Sequence, residues 1–340
     1  MSHLKMRVMD KSSEKITEDE AALYDRQIRL WGLDAQKRLR GARILVAGVC
    51  GMGAEVTKNL VLAGVKSVVL LDHRDLTQND TFSNFLAPPD AIGQNVAMAS
   101  EERAQVLNPM VDVVADPSNI EEKTEEFFKD FDVVFVSRCK REQLVKINNI
   151  CRSNKILFLA GDVFGQVGYM FSDFMDHSYA DEVKEKVEVP GQDQPVEETK
   201  IVRRVESFVP ITQALEVDWT SPEYNKRLKR TSPSYFIMQV LMEFVSLYGR
   251  TPDPTKRDAD IVELLTIKNA LLDKLSIPPE KVKNDFAEFV FGQLSPVCAI
   301  LGGVTAQEII KAVSQKDAPL KNFFFFNTVE GVGIVESIGV

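Results

Sequence analysis

The residues best placed to do chemistry lie in VAGVCGMGAEV, positions 46–56. The stretch follows a β-like run, ARILVAG, and precedes a helix-like run, AEVTKNLVLAG. A strand–glycine turn–helix unit can hold phosphate for two reasons. Glycines let the backbone come close, and the helix start offers free N–H groups and the positive end of its dipole. Gly48, Gly51 and Gly53 are in place, and Asp72 closes the next apolar run, where a ribose-binding carboxylate is usual. Cys50 interrupts the pattern, because its Cβ obstructs an approach that glycine would allow. On these residues alone two readings stay open: a nucleotide site, as in a NAD-dependent oxidoreductase, or a turn kept for tight strand–helix packing.

Other reactive side chains are scattered. Arg26 and Arg29 share a helix-like segment. Four residues either side of Arg26 stand Ala22 and Leu30, so its own helix offers it no carboxylate, whereas Asp25 lies four before Arg29 and can pair with it. Ile28, Leu30 and Trp31 read as residues that pack the helix on its own body, or else on a partner. Cys50, Cys139, Cys151 and Cys298 form no CxxC, which argues against a structural zinc site, and 176–284 contains no cysteine. His3, His73 and His177 have no Cys or Ser beside them to suggest a dyad. No hydride-site acid or base stands out after the glycine turn.

The elements that must position these groups alternate. Thr17 and Glu20 read as a capping box opening a helix through AALYDRQIRLW, interrupted at Gly32. Strand-like runs at 43–48, 67–72, 132–137 and 156–161, with VDVVAD between, alternate with helical stretches at 53–64, 93–108 and EQLVKINNICRSN. The expected fold class is α/β, a doubly wound, mostly parallel sheet. Residues 176–205 are charged and aperiodic, and KIVRR (200–204) reads as solvated loop. Ser232 and Ser295 are candidate N-caps, each followed by proline, and FFFFNTVEGVGIVES reads as a hairpin. A net charge of −9 argues against nucleic acid or an anionic membrane as partner. The first twenty residues carry no apolar run of signal-peptide length, so the thiols are expected reduced, in the cytosol or nucleus.

Further strings complete a resemblance. YDRQIRLWG (24–32), GMGAEVTKNLVLAGV (51–65), EERAQVLNPMVDV (101–113), GDVFGQVGY (161–169) and SPVCAILGGVTAQEIIKA (295–312) resemble the ubiquitin-like-modifier activating enzymes. That family shares the adenylating fold of the bacterial ThiF and MoeB proteins. The resemblance spans Thr17 to Gly339 and is closest to the smaller, non-catalytic subunits of the SUMO-activating branch. It implies an adenylation-type domain over 17–175 and 285–340 with an inserted, partly helical region over 176–284; the charge and missing period near 181–200 read as a mobile loop, and the polar, unpatterned 1–16 as disordered.

The active members of the family carry more than this chain does. Their loop is G-x-G-G-x-G, where Gly48-Val49-Cys50-Gly51-Met52-Gly53 stands here. Their N-R-Q-F element is matched by Phe82-Ser83-Asn84-Phe85, without arginine, and their G-R-S-K-A string by Gly93-Gln94-Asn95-Val96-Ala97, with valine in the lysine place. Their D-N-R string is matched within SRCKREQL (137–144), which holds no aspartate. ATP and Mg²⁺ need cations on the phosphates and a carboxylate on the metal. The resemblance therefore implies no cofactor or metal in this chain, with Asp72 a structural remnant and ATP·Mg²⁺ on a larger catalytic subunit. That subunit would adenylate SUMO, form the thioester and pass SUMO to a conjugating enzyme, in the nucleus and also the cytoplasm. This chain would lend it Arg26 in trans, with Arg29 placed to assist. The alternatives are the equivalent subunit for another ubiquitin-like modifier, a longer chain with a large helical insertion, or the oxidoreductase.

Overall fold

The computed structural model describes residues 17–187 and 196–340; the expectation for 1–16 lies outside them. Thr17 accepts the Glu20 N–H while Glu20 accepts the Thr17 N–H, the reciprocal cap that starts α1 (Glu18–Leu23). The backbone then breaks at Tyr24, so the helix expected through AALYDRQIRLW is two: α1 and α2 (Asp25–Trp31). Gly32, at φ +89°, turns the chain into α3 (Leu33–Gly41).

Alternation follows as β1 (Arg43–Ala47), α4 (Gly51–Ala63), β2 (Ser67–Leu71), α5 (Val96–Leu107), β3 (Asp112–Asp116), α6 (Glu125–Phe128), β4 (Val133–Val136), α7 (Arg141–Asn154), β5 (Leu157–Phe164) and β6 (Val167–Asp173). Then come β7 (Asp176–Val187), β8 (Val196–Ser207), α8 (Ile211–Leu215), α9 (Pro222–Leu228), α10 (Pro233–Tyr248), α11 (Arg257–Lys274), α12 (Ser295–Ser314), β9 (Phe323–Asn327) and β10 (Val332–Glu336). Ser232 caps α10 with its hydroxyl, as expected. Ser295 is instead the first residue of α12, behind Leu294, and makes no capping bond.

The main sheet runs β10-β9-β6-β5-β4-β1-β2-β3. Its half from β5 to β3 is parallel, and β6, β9 and β10 add antiparallel strands. Alternate side chains supply two cores, as the period of a strand requires. Ile44 and Val46 face the layer of α4, α5 and α12, and Leu45 and Ala47 face α7, α10 and α11. Helix α12 is apolar and long enough to cross a membrane, yet 67% of its apolar window is buried inside the fold. Its Gly302 lets α4 approach so closely that a Cβ there would lie 2.4 Å from the Glu55 Cβ.

Residues 176–284 do not stand apart as an insertion. Helices α8, α10 and α11 complete the second helical layer and share its core with β5, β6 and β9. The charged segment read as a loop near 181–200 is a ribbon of β7 and β8, paired from Asp176↔Ser207 to Val187↔Val196. Residues 188–195 lie outside the described ones.

Candidate functional site

The glycine turn sits between the carboxyl ends of β1 and β4, where the strand order reverses and an α/β sheet usually takes its ligand. Close packing there is real. Gly48 has φ +99°, and a Cβ on it would lie 2.5 Å from the Ser137 carbonyl oxygen. A Cβ on Gly53 would lie 2.1 Å from the Gly48 oxygen. Cys50 precedes α4, fully buried, with its Sγ 3.3 Å from Ser137 Oγ.

The groups that would receive phosphate and ribose are already engaged. The Val49 N–H donates to Asp72 Oδ2 at 2.9 Å, and the Gly51 N–H donates to Gln293 Oε1 at 3.0 Å. Asp72, the expected ribose acid, is held by Arg74 through Nε at 3.1 Å and a second guanidinium nitrogen at 2.6 Å. Asn84 donates to the Val49 carbonyl, and Asn95 caps α5 while donating to the Asp72 carbonyl. Val96 is buried. The space left among Gly48, Asp72, His73, Arg74, Ser137 and Arg138 is about 50 Å³. A small-molecule site usually needs ~300–1,000 Å³. These residues do not fit a nucleotide.

Sequence reasoning missed what fills the turn. Two arginines, Arg74 and Arg138, bring positive charge to a region read as having lost it. Arg74 follows Asp72 by two residues, and Arg138 follows β4; both lie at carboxyl ends of strands, which was the available signal. Their guanidinium groups pair with two carboxylates of the chain itself, Asp72 and Asp80, and a third, Asp162, takes the Arg138 backbone N–H. Arg74 and Arg138 flank Asp80 at 3.7 and 3.9 Å. The Arg138 N–H donates to Asp162 Oδ2, and Gln293 Nε2 donates to Asp162 Oδ1 at 3.1 Å. Burial alone would raise the Asp80 carboxyl; Arg138, the Thr77 hydroxyl and Arg74 hold it below its ordinary value. Asp162, fully enclosed, goes the other way: burial raises it despite Arg138 and two backbone donors. No cluster arranged to hold a metal occurs among the described residues. Burial pushes the Cys139 thiol up to about 12 and raises Cys151 and Cys298, so these thiols are not activated nucleophiles.

Arg26 lies at the other end of α4. That helix has 13 residues, which separates its ends by about 20 Å. Its last carbonyls each receive a side-chain amide: Val61 from Asn108 Nδ2 (2.9 Å), Leu62 from Gln27 Nε2 (3.2 Å) and Ala63 from Gln36 Nε2 (3.0 Å). Asn108 Nδ2 also donates to the Tyr24 hydroxyl at 2.7 Å. Tyr24 lies over Gly64, the left-handed residue ending α4, so closely that a Cβ there would lie 2.4 Å from its ring. Helix α2 is thereby seated on the carbonyl end of α4. Arg26 is exposed, and among the described residues no hydrogen bond or ion pair engages its side chain. Arg29 pairs with Asp25 at 3.0 Å. Leu30, expected to pack, is 71% exposed, and Ile28 and Trp31 are half-buried.

A strand–turn–helix unit at the switch point, a five-stranded parallel half-sheet and an antiparallel extension define an adenylation-type α/β domain. The ThiF family matches residues 24–336, and the chain belongs to that family. Relatives along nearly the full length sharpen this. It is 47% identical over 337 residues to SUMO-activating enzyme subunit 1 of Homo sapiens, covering 95% of this chain and 96% of the relative. It is 45% identical over 345 residues to the Xenopus tropicalis protein of that name, covering 98% and 99%. The Danio rerio protein of that name is 46% identical over 340 residues, covering 96% and 97%.

Proposed function

We propose that this chain is the regulatory half of a heterodimeric SUMO-activating enzyme. It supports ATP-dependent adenylation of the SUMO C-terminus and thioester formation on a larger catalytic subunit, and it lends Arg26 to that subunit's ATP·Mg²⁺ site. From the heterodimer SUMO passes to a conjugating enzyme, with the nucleus as the main compartment and the cytoplasm a second. The observation that carries the reading is the contrast within one chain. Its own nucleotide turn is closed by Asp72, Gln293 and Arg74, while Arg26 stands exposed and, among the described residues, without a partner at the other end of a helix about 20 Å long. The name shared by relatives covering at least 94% of the chain supports the same reading.

The chemistry suits arginine. Attack of a carboxylate on the α-phosphate brings two anions together, and a guanidinium keeps its charge and offers a fixed fork of donors. The NAD-dependent oxidoreductase loses its footing, because the carboxylate that would hold the ribose is bound to Arg74. The test is ATP–pyrophosphate exchange with SUMO present, run for this chain alone, with the catalytic subunit, and with that subunit plus Arg26→Ala. Silence alone, exchange together and a large loss with Arg26→Ala is the expected pattern. Exchange by this chain alone overturns it.

A further inference from the structure

Resting on the trans role of Arg26, we infer that Gln27, backed by Asn108 and Gln36, is the positioning residue that holds Arg26 for the partner's site. The juxtaposition is specific. An α-helix leaves its last carbonyls without intrahelical donors. In α4 three consecutive ones, those of Val61, Leu62 and Ala63, are met by side-chain amides from three different places in the chain. Asn108 follows α5, Gln36 lies within α3, and Gln27 is the neighbour of Arg26 on α2. Amide donors suit the negative end of the helix dipole.

The three contacts divide the work. Asn108 is buried and bridges Val61 to the Tyr24 hydroxyl, which anchors the chain just before α2. Gln36 is buried too, and its Oε1 accepts from Trp31 Nε1 at 3.2 Å, which ties down the end of α2. Between these anchors α2 buries no residue completely. Trp31 packs on the core and Lys316 Nζ donates to the Leu30 carbonyl at 3.2 Å, but both contacts lie at the end of the helix, and its first turn, which carries Arg26, has little packing to fix its rotation. The Gln27 amide on the Leu62 carbonyl supplies that restraint. It sets the direction in which Arg26, one residue earlier, leaves the helix. An arginine that must meet developing charge within a few tenths of an ångström needs such a support, since small misplacements are expensive in rate.

Gln27 is the residue to test, because it is half-buried and its bond to Leu62 is exposed, whereas Asn108 and Gln36 are buried in the fold. The assay is pyrophosphate exchange by the assembled heterodimer, with subunit affinity measured in parallel. Gln27→Met keeps length and removes the donor; Gln27→Lys keeps a donor for the Leu62 carbonyl. The expected result is a fall of about five- to twentyfold in kcat with Gln27→Met, KM for ATP and subunit affinity unchanged, and most of the rate regained with Gln27→Lys. In the Arg26→Ala background Gln27→Met produces no further loss, because the group it positions is gone. A loss of equal size in that background overturns the inference, as does full activity of Gln27→Met when Arg26→Ala alone is damaging. If Arg26→Ala is itself silent, the trans reading and this inference both fall, and the two failures are told apart by that single arm.

Discussion

The two ends of α4 have met opposite fates. At its N-terminal end the backbone donors that would greet a phosphate are bound by Asp72 and Gln293, and the cations nearby are neutralised by the chain's own carboxylates. At its C-terminal end the free carbonyls are capped by amides, and the helix seated there presents a cation that nothing in the described chain neutralises. Both ends follow the same rule, that helix termini must find partners. They differ in what is left over. The first end is electrostatically closed and leaves nothing for a ligand; the second closes its backbone and leaves Arg26 open. On the proposed trans role of Arg26, the closed nucleotide turn and its helix act as a rigid mount, with the working group displaced by the length of that helix.

The strongest way to break this comparison is at Arg26. Arg26→Ala is expected to lower heterodimer exchange by about 10²–10³-fold, at or below the low end for trans arginines in phosphoryl transfer. Its stability should stay within about 0.5 kcal/mol of the unchanged chain, as for a surface side chain without partners. Arg26→Lys should recover only part of the rate, because an ammonium lacks the planar fork. A large rate loss accompanied by an equally large stability loss would mean that Arg26 is structural.

At the closed end the signature reverses. Asp72→Ala removes the acceptor of the Val49 N–H and the partner of Arg74 in one step. Leaving the Val49 donor unpaired and a largely buried cation with only Asp80, 3.7 Å away, should destabilise the chain by about 2–4 kcal/mol in urea unfolding. Where the heterodimer remains folded, exchange should change by no more than about twofold. A stable Asp72→Ala chain that has gained ATP binding would show that the turn is merely blocked.

Much of this contrast was legible in the sequence, and the part that was not has a physical reason. The strands and helices around the turn are apolar runs and capped segments, so local signals suffice; Gly64 ends α4 where a left-handed residue is needed. Cys50 breaks the glycine pattern on its own, whereas Val96 and the arginine-free 82–85 segment read as losses only against the strings of the family that the chain resembles. What fills the turn could not. Gln293 meets Gly51 across 242 residues, and Asp162 meets Arg138 across 24. Such pairings are products of tertiary closure. The β7–β8 ribbon escaped for another reason: it forms a separate two-stranded sheet, and alternate burial is confined to His177 and Tyr179 at its base, too short a run to mark a strand in the sequence.

Acid gives a smaller, graded test of the closed end. The Asp80 carboxyl is depressed in the folded chain, burial being outweighed by Arg138, Thr77 and Arg74. A depressed carboxylate contributes stability that is present above its unfolded value, near 3.9, and is lost as pH falls through its folded one. The urea midpoint should therefore drop as pH falls below about 4, and the drop should be shallower in Asp80→Asn. Asp162 shifts in the opposite sense, but it is common to both proteins and cancels in the comparison. Identical slopes for the two would remove Asp80 from the network.

The smallest expected effect separates Arg26 from its neighbour. Arg29 stands three residues on, and the two could have been interchangeable cations on one helix face. They are not, because Arg29 is held by Asp25 at 3.0 Å with both side chains largely in solvent. An exposed pair at this spacing is worth ~0.3–0.5 kcal/mol and is screened by salt. Arg29→Ala should thus change stability by less than about 0.5 kcal/mol and exchange by less than about threefold. Asp25→Ala frees Arg29 without moving Arg26. If exchange rises in Asp25→Ala and falls again in Asp25→Ala with Arg29→Ala, the pair is a reserve cation held in check. If both changes are silent, the partner's phosphates read Arg26 alone, and the exposed helix carries one working charge.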